Sequence, residues 1–161
     1  MRVGVFSDSH GDTKALDELL EKMGYVDAVC FLGDVARDAE HLEMRLSAMA
    51  NRPQLYAVRG NNDYYSTCLL PWEMLIELGG VRIYMTHGHR AAGVLGLVYK
   101  ALECEAQVAM FGHTHTAFCQ EQQGVLLLNP GSSGNYCRGG RARASLLEIA
   151  SGKCRVRDIL L

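Results

Sequence analysis

Several absences narrow the reading before any motif does. Lysine and arginine total 16 against 18 aspartates and glutamates, a net charge of -2. No basic field therefore marks the chain for a nucleic-acid polymer or an anionic membrane surface. The six cysteines, Cys30, Cys68, Cys104, Cys119, Cys137 and Cys154, contain no Cys-x-x-Cys pair, and several lie in apolar runs, which argues against a disulfide framework. No apolar run approaches the roughly 20 residues of a membrane span. The strand-like Val3-Gly4-Val5-Phe6 begins too early to leave room for a removable leader. Together these point to a reducing cytoplasm. Nor is there an internal repeat, a linker or a low-complexity segment. At 161 residues and 48% hydrophobic, the chain fits one globular domain, residues 1–161, that buries roughly two-thirds of its unfolded surface.

The periodicity then sets out the elements. Arg2 to Phe6 reads as a strand ending in the loop Ser7-Asp8-Ser9-His10-Gly11. Asp12 caps a helix whose inner face is Ala15, Leu16, Leu19, Leu20 and Met23, with Gly24 as its stop. Ala28 to Leu32 is a buried strand ending at Gly33-Asp34. A second helix follows, with Asp38 as its expected cap and Ala39, Leu42, Leu46 and Met49 as its inner stripe. Gln54 to Val58 supplies a third strand, and the alternation predicts parallel pairing through right-handed crossovers. Glu73 to Leu78 and Val81 to Met85 predict a hairpin around Gly79-Gly80. A further helix is expected to bury Val94, Leu95, Val98 and Leu102, and Gln107 to Phe111 is again a strand. The remainder reads as two strand pairs, Ala117–Glu121 with Val125–Leu128 and Ser145–Ile149 with Arg155–Leu160. The whole predicts two packed sheets with helices on their outer faces.

Against this frame, polar residues recur at one kind of place. Asp8 follows Phe6, Asp34 follows Leu32, Asn61 follows Val58, His87 follows Met85 and His113 follows Phe111, each two or three residues beyond an apolar run. If the runs are neighbouring strands, all five motifs lie at strand carboxyl ends, the rim where ligands bind in open α/β sheets. Singly each has an ordinary explanation: Asp34 as a turn residue, Asn61 as a helix cap, His10 as an exposed polar residue. Yet five of the six histidines fall inside these motifs, with only His41 outside. Imidazole and carboxylate donors without thiolate suit Mn²⁺, Fe²⁺, Co²⁺, Ni²⁺ or Zn²⁺. Asp8, His10, Asp34, Asn61, His87, His113 and His115 are enough for two such ions if one carboxylate bridges them. Two ions less two carboxylates leave a cationic pocket, suited to a small phosphate-bearing substrate and to in-line displacement by a metal-activated hydroxide.

The ordered set Asp8-x-His10, Gly33-Asp34, Gly60-Asn61-x-Asp63, His87-Gly88-His89 and Gly112-His113-Thr114-His115 resembles the calcineurin-like metallophosphoesterase superfamily, above all its small bacterial and archaeal phosphodiesterases. The resemblance implies a four-layer αββα sandwich of two mixed β-sheets. It also implies one metal on Asp8, His10, Asp34 and His115 and another on Asp34, Asn61, His87 and His113, with Asp34 bridging and manganese or nickel as the usual activating ion. Many active members carry a histidine where this chain has Asn62, and an amide cannot serve as a general acid. The expectation is therefore metal-driven catalysis that favours activated aryl phosphodiesters. His89 is a candidate phosphate contact or proton donor, or else a hydrogen-bonded neighbour of His87. Asp63 is expected to orient its loop, and Asn129-Pro130-Gly131-Ser132 to form a structural loop under the site. Arg138, Arg141 and Arg143 form a basic cluster, either a solvated face or the receiver of a second anionic group. Leu69, Leu70 and Trp72 are expected as core or loop anchors whose exposed part could serve an interface, such as one between copies of the chain. The alternative to an enzyme is an interaction module, since the chain also resembles the retromer small subunits. Those relatives have typically lost metal-site histidines that this chain keeps.

Overall fold

The computed structural model describes residues 1–63, 69–134 and 141–161. Its first strand, β1 (Arg2–Phe6), alternates so that Val3 and Val5 face one apolar layer and Phe6 another. The next, β2 (Ala28–Phe31), repeats the device, with Ala28 and Cys30 on one side and Val29 and Phe31 on the other. A strand apolar on both faces must be covered on both. Helix α1 (Thr13–Met23) and helix α2 (Ala36–Ser47) cover one side, and a second sheet covers the other.

With β3 (Gln54–Ala57), the first three strands pair in parallel, and two later strands complete the sheet. These are β9 (Arg143–Ala150) and β10 (Lys153–Leu160), giving the order β10-β9-β1-β2-β3. The second sheet comprises β4 (Glu73–Leu78), β5 (Val81–Thr86), β6 (Val108–Met110), β7 (Phe118–Gln122) and β8 (Val125–Asn129), in the order β4-β5-β6-β8-β7. Between the sheets lie Val3, Val5, Cys30, Ile83, Met85 and Met110, all fully buried. Each such side chain stabilises the fold by about 1.5–3 kcal/mol. On the far face of the second sheet, α3 (Gly93–Glu103) packs Leu97, Val98 and Ala101 against Tyr84, Ala109 and Leu127. The result is the expected αββα sandwich of two mixed sheets with helices on the outer faces. No helix among the described residues is long and apolar enough to cross a membrane.

Three expectations are corrected. Asp38 does not cap α2: the helix starts at Ala36 after Val35, and the buried Asp38 carboxylate accepts instead from Ser9 Oγ at 2.5 Å and Gly11 N at 2.8 Å. In α3 the inner stripe is Leu97, Val98 and Ala101, while Leu95 and Leu102 are 51% and 43% exposed. The run Val94-Leu95-Gly96-Leu97-Val98 offers two helical registers, and the packing of Leu97 against the second sheet decides between them. Leu69 is no anchor, being 98% exposed. Arg59 donates through its backbone N to Pro71 O and through Nε to Leu70 O, and Leu70 rather than Leu69 packs on the core.

Candidate metal centre

All five motifs emerge at carboxyl ends of parallel strands, from β1, β2 and β3 in one sheet and from β5 and β6 in the other. Their loops are tied together within each sheet, and across the sheets by His113 N donating to Asp8 Oδ2 and His87 Nδ1 to Leu32 O. Asp8 N donates to Gly33 O, Gly112 N to His87 O, and Asn129 Nδ2 to Gly112 O. The approach is close enough to require glycine. A Cβ on Gly60 would lie 2.5 Å from Asp34 N, and one on Gly112 would overlap Ser7 Oγ.

The backbone at the site is unusual. Asp8, His10, Asp34, His113 and His115 all have positive φ, between 49° and 74°. Non-glycine residues adopt this region at a cost and persist there when the surroundings over-determine them, a pattern concentrated at ligand sites. Five of the seven candidate ligands share it, so the loops are bent to aim side chains at a common point.

Asp8, His10, Asp34 and His115 each offer a ligand atom, and these atoms all lie within 4.8 Å of one another. His10 Nε2 stands 3.2 Å from His115 Nε2 and 3.5 Å from Asp34 Oδ2, and His115 Nε2 stands 3.3 Å from Asp8 Oδ1. Asp8 Oδ1 is buried and accepts no hydrogen bond from any described residue, although its partner oxygen Oδ2 accepts from Ser7 Oγ at 2.5 Å and His113 N at 2.9 Å. An orphaned carboxylate oxygen and two facing imidazole nitrogens are a costly arrangement without a cation among them. The donor set, two oxygens and two nitrogens without sulfur, suits a divalent transition ion.

Beyond Asp34 lies a second group. His87 Nδ1 donates to Leu32 O at 2.7 Å, which leaves Nε2 as a lone pair directed into the site. That atom is 3.0 Å from Asn61 Oδ1 and 3.9 Å from Asp34 Oδ1, and His113 Nδ1 is 2.9 Å from the same Asn61 oxygen. Asp34 therefore presents Oδ2 to His10 and Oδ1 to His87.

The remaining predicted residues fall into place around these. Asn62 grips Asp34 at both oxygens, through its backbone N to Oδ1 and through Nδ2 to Oδ2, both at 2.7 Å. Asp63 is buried and accepts from Val35 N, Ala36 N and Gly60 N, which fastens the β2–α2 turn to the Gly60 loop. His89 lies beside His87, His113 and Trp72, with ring centroids 5.5, 6.1 and 5.5 Å away, and its buried Nδ1 has no described hydrogen-bond partner. Burial, then the neighbouring His87 and His113, pushes its pKa below the ordinary histidine value. The loop after β8 sits under the site as expected, since Ser132 Oγ donates to Asp8 O and Gly131 N donates to Asn129 Oδ1. Of the basic cluster, Arg143 is committed to Asp158 at 2.6 Å, Arg141 is exposed, and Arg138 lies outside the described residues. Sequence reasoning missed Ser7, which holds Asp8, and Asp38, which holds the Ser9–Gly11 turn.

The model of the calcineurin-like phosphoesterase superfamily domain matches residues 1–152. The chain belongs to that superfamily. Among its relatives is a Methanocaldococcus jannaschii protein described as "Probable metallophosphoesterase MJ0623", 32% identical over 138 residues that make up 82% of this chain and 68% of that protein. A more distant one, phosphodiesterase MJ0936 of the same organism, is 26% identical over 158 residues, 86% of this chain and 88% of that protein. The crystal structure of a predicted phosphoesterase from Streptococcus pneumoniae superposes with a TM-score of 0.79 at 30% identity, covering 99% of this chain and 88% of that one. With the Asp8-His10-Asp34-His115 cluster, this superfamily membership makes the chain a metal-binding phosphoesterase-type hydrolase.

Proposed function

We propose that this superfamily member is a phosphodiesterase with a binuclear centre, acting on small phosphate esters by in-line hydrolysis as a single domain over residues 1–161. The observation that carries the reading is Asp34, whose two oxygens face two separate sets of donors. Asp8, His10 and His115 would hold one ion with it, and Asn61, His87 and His113 the other. Manganese is the ion we favour, with nickel, iron, cobalt and zinc chemically admissible. Divalent ions in such a pair neutralise phosphoryl charge and bring the pKa of water toward neutrality. Diester rather than monoester specificity draws support from the phosphodiesterase MJ0936.

The chain's own residues do the positioning. Asn62 fixes the rotamer of Asp34 from two sides, and Asp63 fixes the loop that carries Asn61 and Asn62. Burial lowers the pKa of His89 and so disfavours its protonated form, which leaves a ring N–H to offer to a phosphate oxygen but makes the side chain a weaker proton source. With Asn62 unable to protonate a leaving group, the site favours aryl esters whose alcohols depart unaided. The full set of seven donors supports catalysis over a purely interacting role for the same fold. The described cysteines, Cys30, Cys104, Cys119 and Cys154, are free thiols, which supports a reducing, cytoplasmic setting.

Turnover of bis(4-nitrophenyl) phosphate with added Mn²⁺ tests the reading. Activity should appear with the metal and vanish in Asp34→Asn and His113→Ala. Hydrolysis that persists in chelator, or none with any divalent ion, would sink it.

A further inference from the structure

Beside the metal centre opens a cleft of about 690 Å³, whose lining includes Trp72, Ala91 and Leu97 together with the charged Glu73, Arg90 and Lys100. Its volume is that of a small-molecule site and far exceeds one phosphate. It adjoins the candidate centre through Trp72, which packs against His89, which in turn packs against His87 and His113.

The charges in it are unequal. Among its described lining residues two cations face one carboxylate, and Glu73 is already engaged, accepting from Tyr84 Oη at 2.5 Å. Lys100 is paired with Glu103 at 3.3 Å. Arg90 is exposed, forms no ion pair with any described residue, and lies with its guanidinium 5.5 Å from the centre of the Trp72 ring. A guanidinium laid over an indole keeps its donor edge available to an anion.

We propose that this cleft seats the organic ester group of the substrate and selects one that carries its own anion, received chiefly by Arg90. This rests on the phosphoesterase reading for what occupies the neighbouring centre. Apolar walls take the body of the group, the ester phosphate lies toward His89, and the second anion lies at Arg90.

Trp72 is the only tryptophan in the chain, so intrinsic fluorescence reports on the cleft directly. The experiment titrates the whole protein, in chelator so that metal-dependent hydrolysis cannot occur, with bis(4-carboxyphenyl) phosphate and its equal-sized amide counterpart, bis(4-carbamoylphenyl) phosphate. The carboxylate should bind about fivefold more tightly, the scale of one partly exposed ion pair. Arg90→Gln should bring the two affinities to within about twofold while the circular dichroism stays native. Equal affinities in the unmodified protein, or a preference that survives Arg90→Gln, overturn the assignment even if Mn²⁺-dependent hydrolysis is found. Carboxylate-selective quenching that depends on Arg90 upholds the cleft even if that hydrolysis fails, so the two readings stand or fall separately.

Discussion

His10 Nε2 and His115 Nε2 meet at 3.2 Å although 105 residues separate them in the chain. His113, two residues before His115, reaches the other side of Asp34, where Asn61 Oδ1 lies 2.9 Å from its Nδ1. One short loop thus serves two sets of donors. His115→Ala and His113→Ala should each lower bound manganese from about two equivalents to about one, as read by elemental analysis after dialysis, whereas Asp34→Asn should lower it further than either. Identical losses in the two histidine variants, with both ions gone, would show that the sets are not separable.

Asp63 carries a structural prediction. Its carboxylate, 3% exposed, is the acceptor for three backbone N–H groups, those of Val35, Ala36 and Gly60. Val35 is held at φ 93°, costly for a β-branched residue, and one of these bonds helps to keep it there. Leaving buried donors unpaired costs about 1–3 kcal/mol each, and part of that is recovered by relaxation and water. Asp63→Ala should therefore destabilise the protein by about 3 kcal/mol in urea titrations. A change below about 1 kcal/mol would mean that the turn holds without it.

The site was legible in the sequence because the fold puts chemistry where strands stop. Asp8, Asp34, Asn61, His87 and His113 each follow an apolar run, and parallel pairing brings those strand ends together. The family resemblance supplied the grouping of ligands that spacing could not. What escaped depended on tertiary choices. Asp38 had the sequence look of a helix cap, yet its partners Ser9 and Gly11 come from another loop. The apolar run at the start of α3 fits two helical faces, and only contact with Ala109 and Leu127 selects Leu97 over Leu95. Trp72 gave no sign of its place between Arg59, Arg90 and His89, because those residues meet it only in space.

Cys30 gives a pH dependence. It sits fully buried between the sheets, and burial raises its thiol pKa from 9.0 to about 12. A pKa raised in the folded state means that the folded protein holds the proton more tightly than the unfolded chain. The stabilisation is complete below the unfolded value and is lost as pH rises from about 9 through about 12. Cys30→Ala removes the titration, so the stability gap between wild type and variant should narrow across that interval in urea titrations at stepped pH. A gap constant from pH 8 to 11 would show that the thiol ionises equally in both states.

An ion that binds the folded chain alone stabilises it by about 2.7 kcal/mol at a hundred times its dissociation constant. For a domain of this size each kcal/mol moves Tm by about 2–4 °C, so each Mn²⁺ bound at that excess should raise Tm by about 5–10 °C. For the ion on Asp8, that gain requires the carboxylate to keep its orientation, which Ser7 Oγ and His113 N fix through Oδ2. A methyl group on Gly112 would overlap Ser7 Oγ and lie 2.7 Å from Asp8 Oδ2. Gly112→Ala should thus cost about 1–3 kcal/mol without metal, the usual range for overpacking. It should also remove the share of the metal-induced rise owed to the ion on Asp8, about half of it, because the carboxylate can no longer present Oδ1 to the histidines. Calorimetric scans with Mn²⁺ and with chelator separate the two effects. A variant that is less stable yet gains the full rise would show that the Ser7–Asp8 contact supports the fold and not the centre.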